Sequence, residues 1–197
     1  MPPLTVIFLG PQGCGKGTQL KLLAEHLSKT DPARSVLTPS MGSMLRSFSE
    51  QDSYAASLLR PILERGELVE YAVSVPLFGN YLLEQVKEDQ HVLVDGFPRS
   101  IEQVTFLDSA VRFYKHQNPV VIRIEISDEE SLKRLALRHR SDDTPDAIRA
   151  RLAWTRKAEK EIEEWFRGRP GYRFVEIDGE GFIEATHAKV LEALQLS

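Results

Sequence analysis

One nonapeptide near the N-terminus limits the fold more than any other part of the chain: Gly10-Pro11-Gln12-Gly13-Cys14-Gly15-Lys16-Gly17-Thr18. Residues 4–9 before it are short, apolar and rich in β-formers, and read as a buried strand ending at Gly10. After it, Leu20, Leu22, Leu23 and Leu27 make a stripe at helical spacing over residues 18–29. In a strand, glycine loop and helix of this kind, backbone N–H groups can turn inward around an anion, with a helix N-terminus behind them. Lys16 adds a point charge for the terminal phosphates. The common form of this loop carries a hydroxyl straight after the lysine. Here Gly17 holds that place and the hydroxyl comes one residue later, on Thr18.

The rest of the chain alternates in the same way. Strands are expected at 36–38, 91–95, 119–126 and 172–177, and helices at 73–88, 101–114, 129–138 and 183–194. Thr144-Pro145-Asp146 opens a further long helix with an N-cap threonine, a proline at its first position and an acid in its first turn. Alternation predicts a parallel sheet covered on both faces. Residues 41–70 break it, with two short helical patterns and no strong strand, and read as an insertion. A chain of 197 residues fits one domain.

The apolar strand Val92–Asp95 ends in a carboxylate, the usual means by which such folds bring an acid towards Mg²⁺. With glycine at position 17 the protein offers few direct ligands. The ion is therefore expected to be held by phosphates and waters, with Asp95 ordering the waters. A net charge of −4 speaks against a general nucleic-acid or membrane surface. The single cysteine, Cys14, excludes an internal disulfide, and no stretch is long and apolar enough to span a bilayer. The start lacks the features of a signal peptide, so a soluble cytoplasmic protein is expected. Arginines outnumber lysines 16 to 9, and a guanidinium fork suits bidentate contact with phosphate.

The loop at 10–19, G-x-x-G-x-G-K-G-T-Q, together with Asp95-Gly96-Phe97-Pro98-Arg99, resembles the adenylate kinase family of nucleoside monophosphate kinases over essentially the whole chain. The resemblance implies an α/β, three-layer P-loop kinase fold with a five-stranded parallel sheet, forming a single domain over 1–197. It implies transfer of the γ-phosphoryl of ATP to AMP, giving two ADP, with Mg²⁺. Gly13, Cys14, Gly15, Lys16, Gly17, Thr18, Arg134 and Arg138 would then bind ATP. Met41-Gly42-Ser43-Met44-Leu45-Arg46 matches the segment whose arginine holds the AMP phosphate, so Arg46 takes that role and Met41 lies near the base. Glu67, Leu68 and Val69 match the stretch lining the AMP base and ribose, Gly96 to Arg99 form the next wall, and Gln103 matches the glutamine that reads adenine. Lys16, Arg99, Arg138, Arg140 and Arg151 are the expected catalytic set, with Arg140 and Arg151 also reaching AMP. ATP, AMP and ADP are the expected partners of a monomer or small homo-oligomer.

Two departures from the family pattern stand out. Met41 and Ser43 replace its usual threonine and aspartate, which weakens the case for AMP. UMP/CMP kinases also differ there, but resemble one another in carrying asparagine where Gln103 stands, so Gln103 favours AMP. The second departure is the lid, a segment that closes over ATP between the arginines matching Arg138 and Arg140. Here only His139 intervenes, which leaves 138–144 as a vestigial turn, and with one cysteine no zinc lid is possible. A nucleotide-dependent regulatory ATPase would share the loop and Asp95 but has no need of Arg46, Arg99 and Gln103 together.

Overall fold

The computed structural model describes residues 2–137 and 144–196. Within them the elements run β1 (Thr5–Leu9), α1 (Lys16–Thr30), β2 (Val36–Leu37), α2 (Met41–Ser49), α3 (Tyr54–Glu64), α4 (Tyr71–Gln85), β3 (His91–Asp95), α5 (Ile101–Phe113), β4 (Val120–Glu125), α6 (Asp128–Ala136), α7 (Pro145–Arg167), β5 (Arg173–Asp178) and α8 (Ile183–Leu194). The five strands pair in parallel in the order β2-β3-β1-β4-β5. The expected fold class and strand count are therefore present. None of the described helices is long and apolar enough to cross a membrane.

The central strands carry apolar residues on both faces because both faces are covered. Ile7, Leu9, Val92, Val94 and Val121 point into one core, shared with Phe78, Phe97, Val104 and Phe166. Val6, Phe8, Leu93, Ile122 and Ile124 point into the other, against Leu23, Leu27 and Val190 of α1 and α8. Fully burying one such large side chain contributes about 1.5–3 kcal/mol. The side-chain period of two thus splits each strand between two packed layers, and slipping the register would mix them.

Chain order reverses around β1, with β3 on one side and β4 on the other. In open parallel sheets the crevice beyond the strand C-termini at such a switch is where ligands bind. The loop after β1, the turn after β3 and the turn before α6 all open there.

Element boundaries differ from expectation where caps decide them. Helix α1 starts at Lys16 rather than 18, because Gly15, left-handed at φ 96°, ends the loop and serves as N-cap. The helix expected at 73–88 runs from Tyr71 to Gln85. Helix α6 is described from Asp128 to Ala136 with Leu137 as its C-cap, and Arg138, the expected last residue of this helix, lies outside the described residues. Ser53, Ser100, Ser127 and Thr144 cap α3, α5, α6 and α7 by accepting a backbone N–H three residues on.

Three histidines sit in this frame with their protonation opposed. His91 is fully buried, and its Nδ1 accepts the Leu4 N–H at 3.0 Å. Burial holds its pKa below the usual value, a shift that Asp31 opposes. Burial also lowers His116, which meets Thr5 Oγ1 at 2.5 Å, and His187. The unfolded chain titrates at about 6.5 and therefore binds more protons than the native state just below that pH. The stability these histidines confer is complete above about pH 6.5 and is lost as pH falls through their lowered native values. Thermal unfolding followed by circular dichroism should show Tm declining between pH 7.5 and 5.5, ahead of carboxylate titration, and declining less in His116→Gln. A flat Tm over that range would contradict this account.

Candidate functional site

The phosphate loop is built against its neighbours so closely that side chains are excluded. A Cβ on Gly10 would stand 2.2 Å from the Ile124 carbonyl oxygen, and Gly10 itself is at φ 131°. A Cβ on Gly13 would meet Ser131 O at 3.0 Å. Helices α6 and α7 grip the loop through Gln12. Its carbonyl accepts the Ser131 hydroxyl, and its Oε1 accepts from Thr155 Oγ1 at 3.2 Å. The N-terminus of α1 has no side-chain cap, and Gly17 and Thr18 in its first turn are exposed. Free first-turn N–H groups with the helix dipole behind them form an anion site. Lys16 is buried, and its ammonium donates to the carbonyls of Gly10 at 2.6 Å and Pro11 at 2.8 Å, with Cys14 Sγ at 3.4 Å. Across from this turn, Asp95 comes off β3, and a Cβ on Gly17 would lie 3.9 Å from its Oδ2.

A cleft of about 1260 Å³ extends from the loop between α2, α3 and α4 on one side and α6 and α7 on the other. It brings together Gly13 to Thr18, Asp95, Met41, Arg46, Glu67, Leu68, Val69, Gly96, Arg99, Gln103, Arg134 and Arg151. Met41 is buried and packs in the core beneath the cleft, so it offers an apolar floor. Arg46 turns back over Gly42 and meets Ser43 Oγ at 3.5 Å. The Arg99 guanidinium donates to Gly96 O at 3.4 Å and lies 5.9 Å from the Trp154 ring centre. Neither Arg46 nor Arg99 has a carboxylate partner among the described residues. Arg134 differs, for its Nε meets Glu130 Oε1 at 2.6 Å and its Nη2 donates to Gly179 O at 3.0 Å. Arg151 is buried and donates to Leu63 O at 3.2 Å.

Some expected residues are placed differently. Phe97 is fully buried and stacks on Phe78 with 4.1 Å between ring centres, and Pro98 is buried beside Gly10 and Trp154. Their side chains stand behind the wall of the cleft rather than on it, because the Phe97 ring is part of the core. Glu67 turns to Arg65, which donates to both of its oxygens at 2.7 and 2.9 Å and holds its carboxyl below the usual range. Gln103 lines the cleft but is only 2% exposed, with both ends of its amide engaged inside the protein. Arg138 and Arg140, and the lid turn they were expected to form, lie outside the described residues. No group of three or more His, Cys, Asp or Glu among the described residues is arranged to hold a metal ion.

Sequence reasoning passed over four residues of the site. Ser74 and Tyr81 line the cleft from α4, four positions before and three after the buried Phe78. Trp154 closes the cleft from α7 and donates its indole N–H to Gly66 O at 2.8 Å. Glu159, one turn further along α7, is buried with neither carboxylate oxygen hydrogen-bonded. Burial pushes its pKa up, opposed by the charges of Lys16, Arg99, Arg123 and Arg156. For Trp154 and Glu159 the one legible signal was the long helix opened by Thr144-Pro145-Asp146, which carries both.

The adenylate kinase family profile matches residues 8–170. Among curated proteins, an adenylate kinase of Prochlorococcus marinus is 32% identical over 191 residues, covering 97% of both chains. Adenylate kinases of Thermus thermophilus and Phenylobacterium zucineum are 31% and 30% identical over 195 residues, covering 96% and 97% of this chain and the same shares of their own.

The link from α7 to the segment before α4 can be tested at one atom. Trp154→Phe keeps an aromatic ring near Arg99 and removes the donor to Gly66 O. One lost hydrogen bond of this kind costs about 1 kcal/mol, or about 2–4 °C in Tm at this chain length. Calorimetry should find that drop, and an unchanged Tm would mean that the contact contributes nothing.

Proposed function

The chain belongs to the adenylate kinase family, and on that premise we propose how its residues divide the reaction between them. It is an ATP-dependent nucleoside monophosphate kinase that moves the γ-phosphoryl of ATP to AMP, giving two ADP. The observation that carries the assignment of roles is the pair Arg46 and Arg99. These are cleft cations without carboxylate partners among the described residues, placed beside an uncapped helix N-terminus. A site that binds only one nucleotide needs the helix terminus alone. A site that brings a second phosphate to the first needs cations for that one too.

In this reading the loop from Gly13 to Thr18 holds the donor phosphates, and Lys16 exchanges its carbonyl partners for phosphate oxygens. Arg46 and Arg99 hold the phosphate of AMP. Met41, Leu68 and Val69 form an apolar surface for its base and ribose, and Gln103 faces the base edge. Arg134, fixed beside residues 179–183, flanks the donor base. Arg151, with Arg138 and Arg140, surrounds the group in flight. The AMP phosphate is already ionised, so no residue has to act as a base. The work is to hold two anions in line, exclude water and stabilise the charge spreading onto the equatorial oxygens. We also propose that 41–70 is the acceptor-binding segment and that 138–144 is all that remains of a lid.

Adenylate kinases use Mg²⁺ with ATP, and the residues present suit it. Asp95 and Thr18 are hard oxygen donors on the two sides of the glycine at position 17. When bound, the ion screens the phosphate charges. Asp95 would hold waters of its shell and Thr18 would lie beside it.

With ATP and Mg²⁺, ADP should form with AMP in preference to CMP, UMP or GMP. Phosphate release independent of AMP would favour a regulatory ATPase instead. Arg99→Ala should cut turnover at least about 10²-fold, since an arginine at such a site is worth about 10³-fold or more, while circular dichroism shows the fold intact. Retained activity in that folded variant would remove Arg99 from the reaction. Asp95→Asn should raise the Mg²⁺ concentration for half-maximal rate about 10-fold, the usual effect of losing an outer-shell partner. An unchanged Mg²⁺ dependence would separate Asp95 from the ion.

A further inference from the structure

We propose that Ser74 is a specificity-determining residue, which selects the acceptor base by fixing which way round the Gln103 amide faces. The proposal rests on the reading above, that Gln103 faces the acceptor base. The two side chains are 1% and 2% exposed, so water cannot replace either as a partner. Gln103 Oε1 accepts the Arg99 backbone N–H at 2.6 Å, and Gln103 Nε2 donates to Ser74 Oγ at 2.9 Å. The Ser74 hydroxyl donates its only proton to Glu70 O at 3.2 Å, one turn back in α4. What remains on Ser74 Oγ towards Gln103 is acceptor only.

Both contacts therefore have a fixed sense. A backbone N–H can only donate, so it demands the oxygen of the amide. A serine oxygen whose proton is committed can only accept, so it demands the nitrogen. Turned over, the amide would set donor against donor at Arg99 and acceptor against acceptor at Ser74. An amide has two N–H groups and two lone pairs, and each internal contact uses one. One acceptor is left on the Arg99 side and one donor on the Ser74 side, in an order that cannot be exchanged.

That order matters because bases differ in it. Adenine presents an exocyclic N–H donor beside a ring-nitrogen acceptor, whereas a 6-oxopurine presents an oxygen acceptor beside a ring N–H donor. An amide free to turn over serves both edges. A pinned one serves a single order, so the pair Ser74 and Gln103 discriminates between amino and oxo purines that are otherwise identical. Nothing in the apolar floor at Met41 can make that distinction.

The test compares AMP with IMP, which differ only at this edge. ADP formation by the full-length enzyme is measured with each acceptor for the wild type, Ser74→Ala, Ser74→Thr and Gln103→Ala. Where IMP is not turned over, its Ki against AMP replaces the rate. In Ser74→Ala the preference for AMP should narrow about 5- to 10-fold, the effect of one hydrogen bond, with the loss in KM for AMP rather than in kcat. Ser74→Thr, which keeps the hydroxyl, should restore the wild-type ratio. A loss of rate without a change in the ratio would reduce Ser74 to packing and overturn the proposal. If Gln103→Ala collapses the preference while Ser74→Ala does not, Gln103 reads the base but Ser74 does not orient it. If Gln103→Ala also leaves the preference unchanged, the placement of Gln103 at the base fails and the proposal falls with it.

Discussion

The close packing of the phosphate loop onto the end of β4 is the constraint from which the rest of the molecule follows. Gly10 lies where any Cβ would collide with the Ile124 carbonyl, and Gly13 where it would press on the backbone of α6. The loop therefore has one available path, and that path aims the first turn of α1 into the crevice where the strand order reverses. Gln12 ties the same loop to α6 and α7. Those helices carry Arg134, Arg151 and Trp154, so the far wall of the cleft is registered to the phosphate site through one residue.

Charge is distributed in the same economical way. Most of the arginines outside the cleft are neutralised locally. Arg123 meets Glu125, Glu163 and Glu176, and Arg156 meets Glu125 and Asp128. These pairs are partly buried, and they remove competing cations from the surface. Among the described residues, Arg46 and Arg99 have no carboxylate partner in the cleft. Behind them lies Glu159, a buried acid whose pKa is pushed up by burial, a shift that the cations around it oppose.

The layout of the fold was legible because its signals are local. A buried parallel strand shows as an apolar run, and an amphipathic helix as a stripe. All five strands and eight helices of the described residues correspond to segments read from the chain, with shifts of a few residues where a cap such as Gly15 decides the boundary. The cleft was legible where a residue type implies its own chemistry, as with Lys16, Arg99 and Asp95. It was not legible where function depends on which way a helix is turned. Ser74 in α4 is an ordinary serine until the fold sets it against Gln103. Trp154 and Glu159 look like ordinary members of a long helix, and only the tertiary arrangement makes one a wall of the cleft and buries the other behind it. Phe97 shows the reverse case, since a residue inside a motif proves to be a core residue on which the motif is mounted.

Hydrogen bonds from α7 to the end of α3 and the turn after it, Arg151 to Leu63 and Trp154 to Gly66, have a mechanical meaning. A Cβ on Gly66 would stand 2.3 Å from Ala147 O, so the two backbones are in direct contact with no side chain between them as a cushion. Residues 63–66 cannot swing independently of the first half of α7. They must either let go of it or carry it along as a stiff rod. Helix α7 in turn grips the phosphate loop through Thr155 and Gln12. The two halves of the cleft are thus coupled in series, like the jaws of a clamp on one arm, and displacement at one nucleotide is delivered to the other without a flap having to carry it.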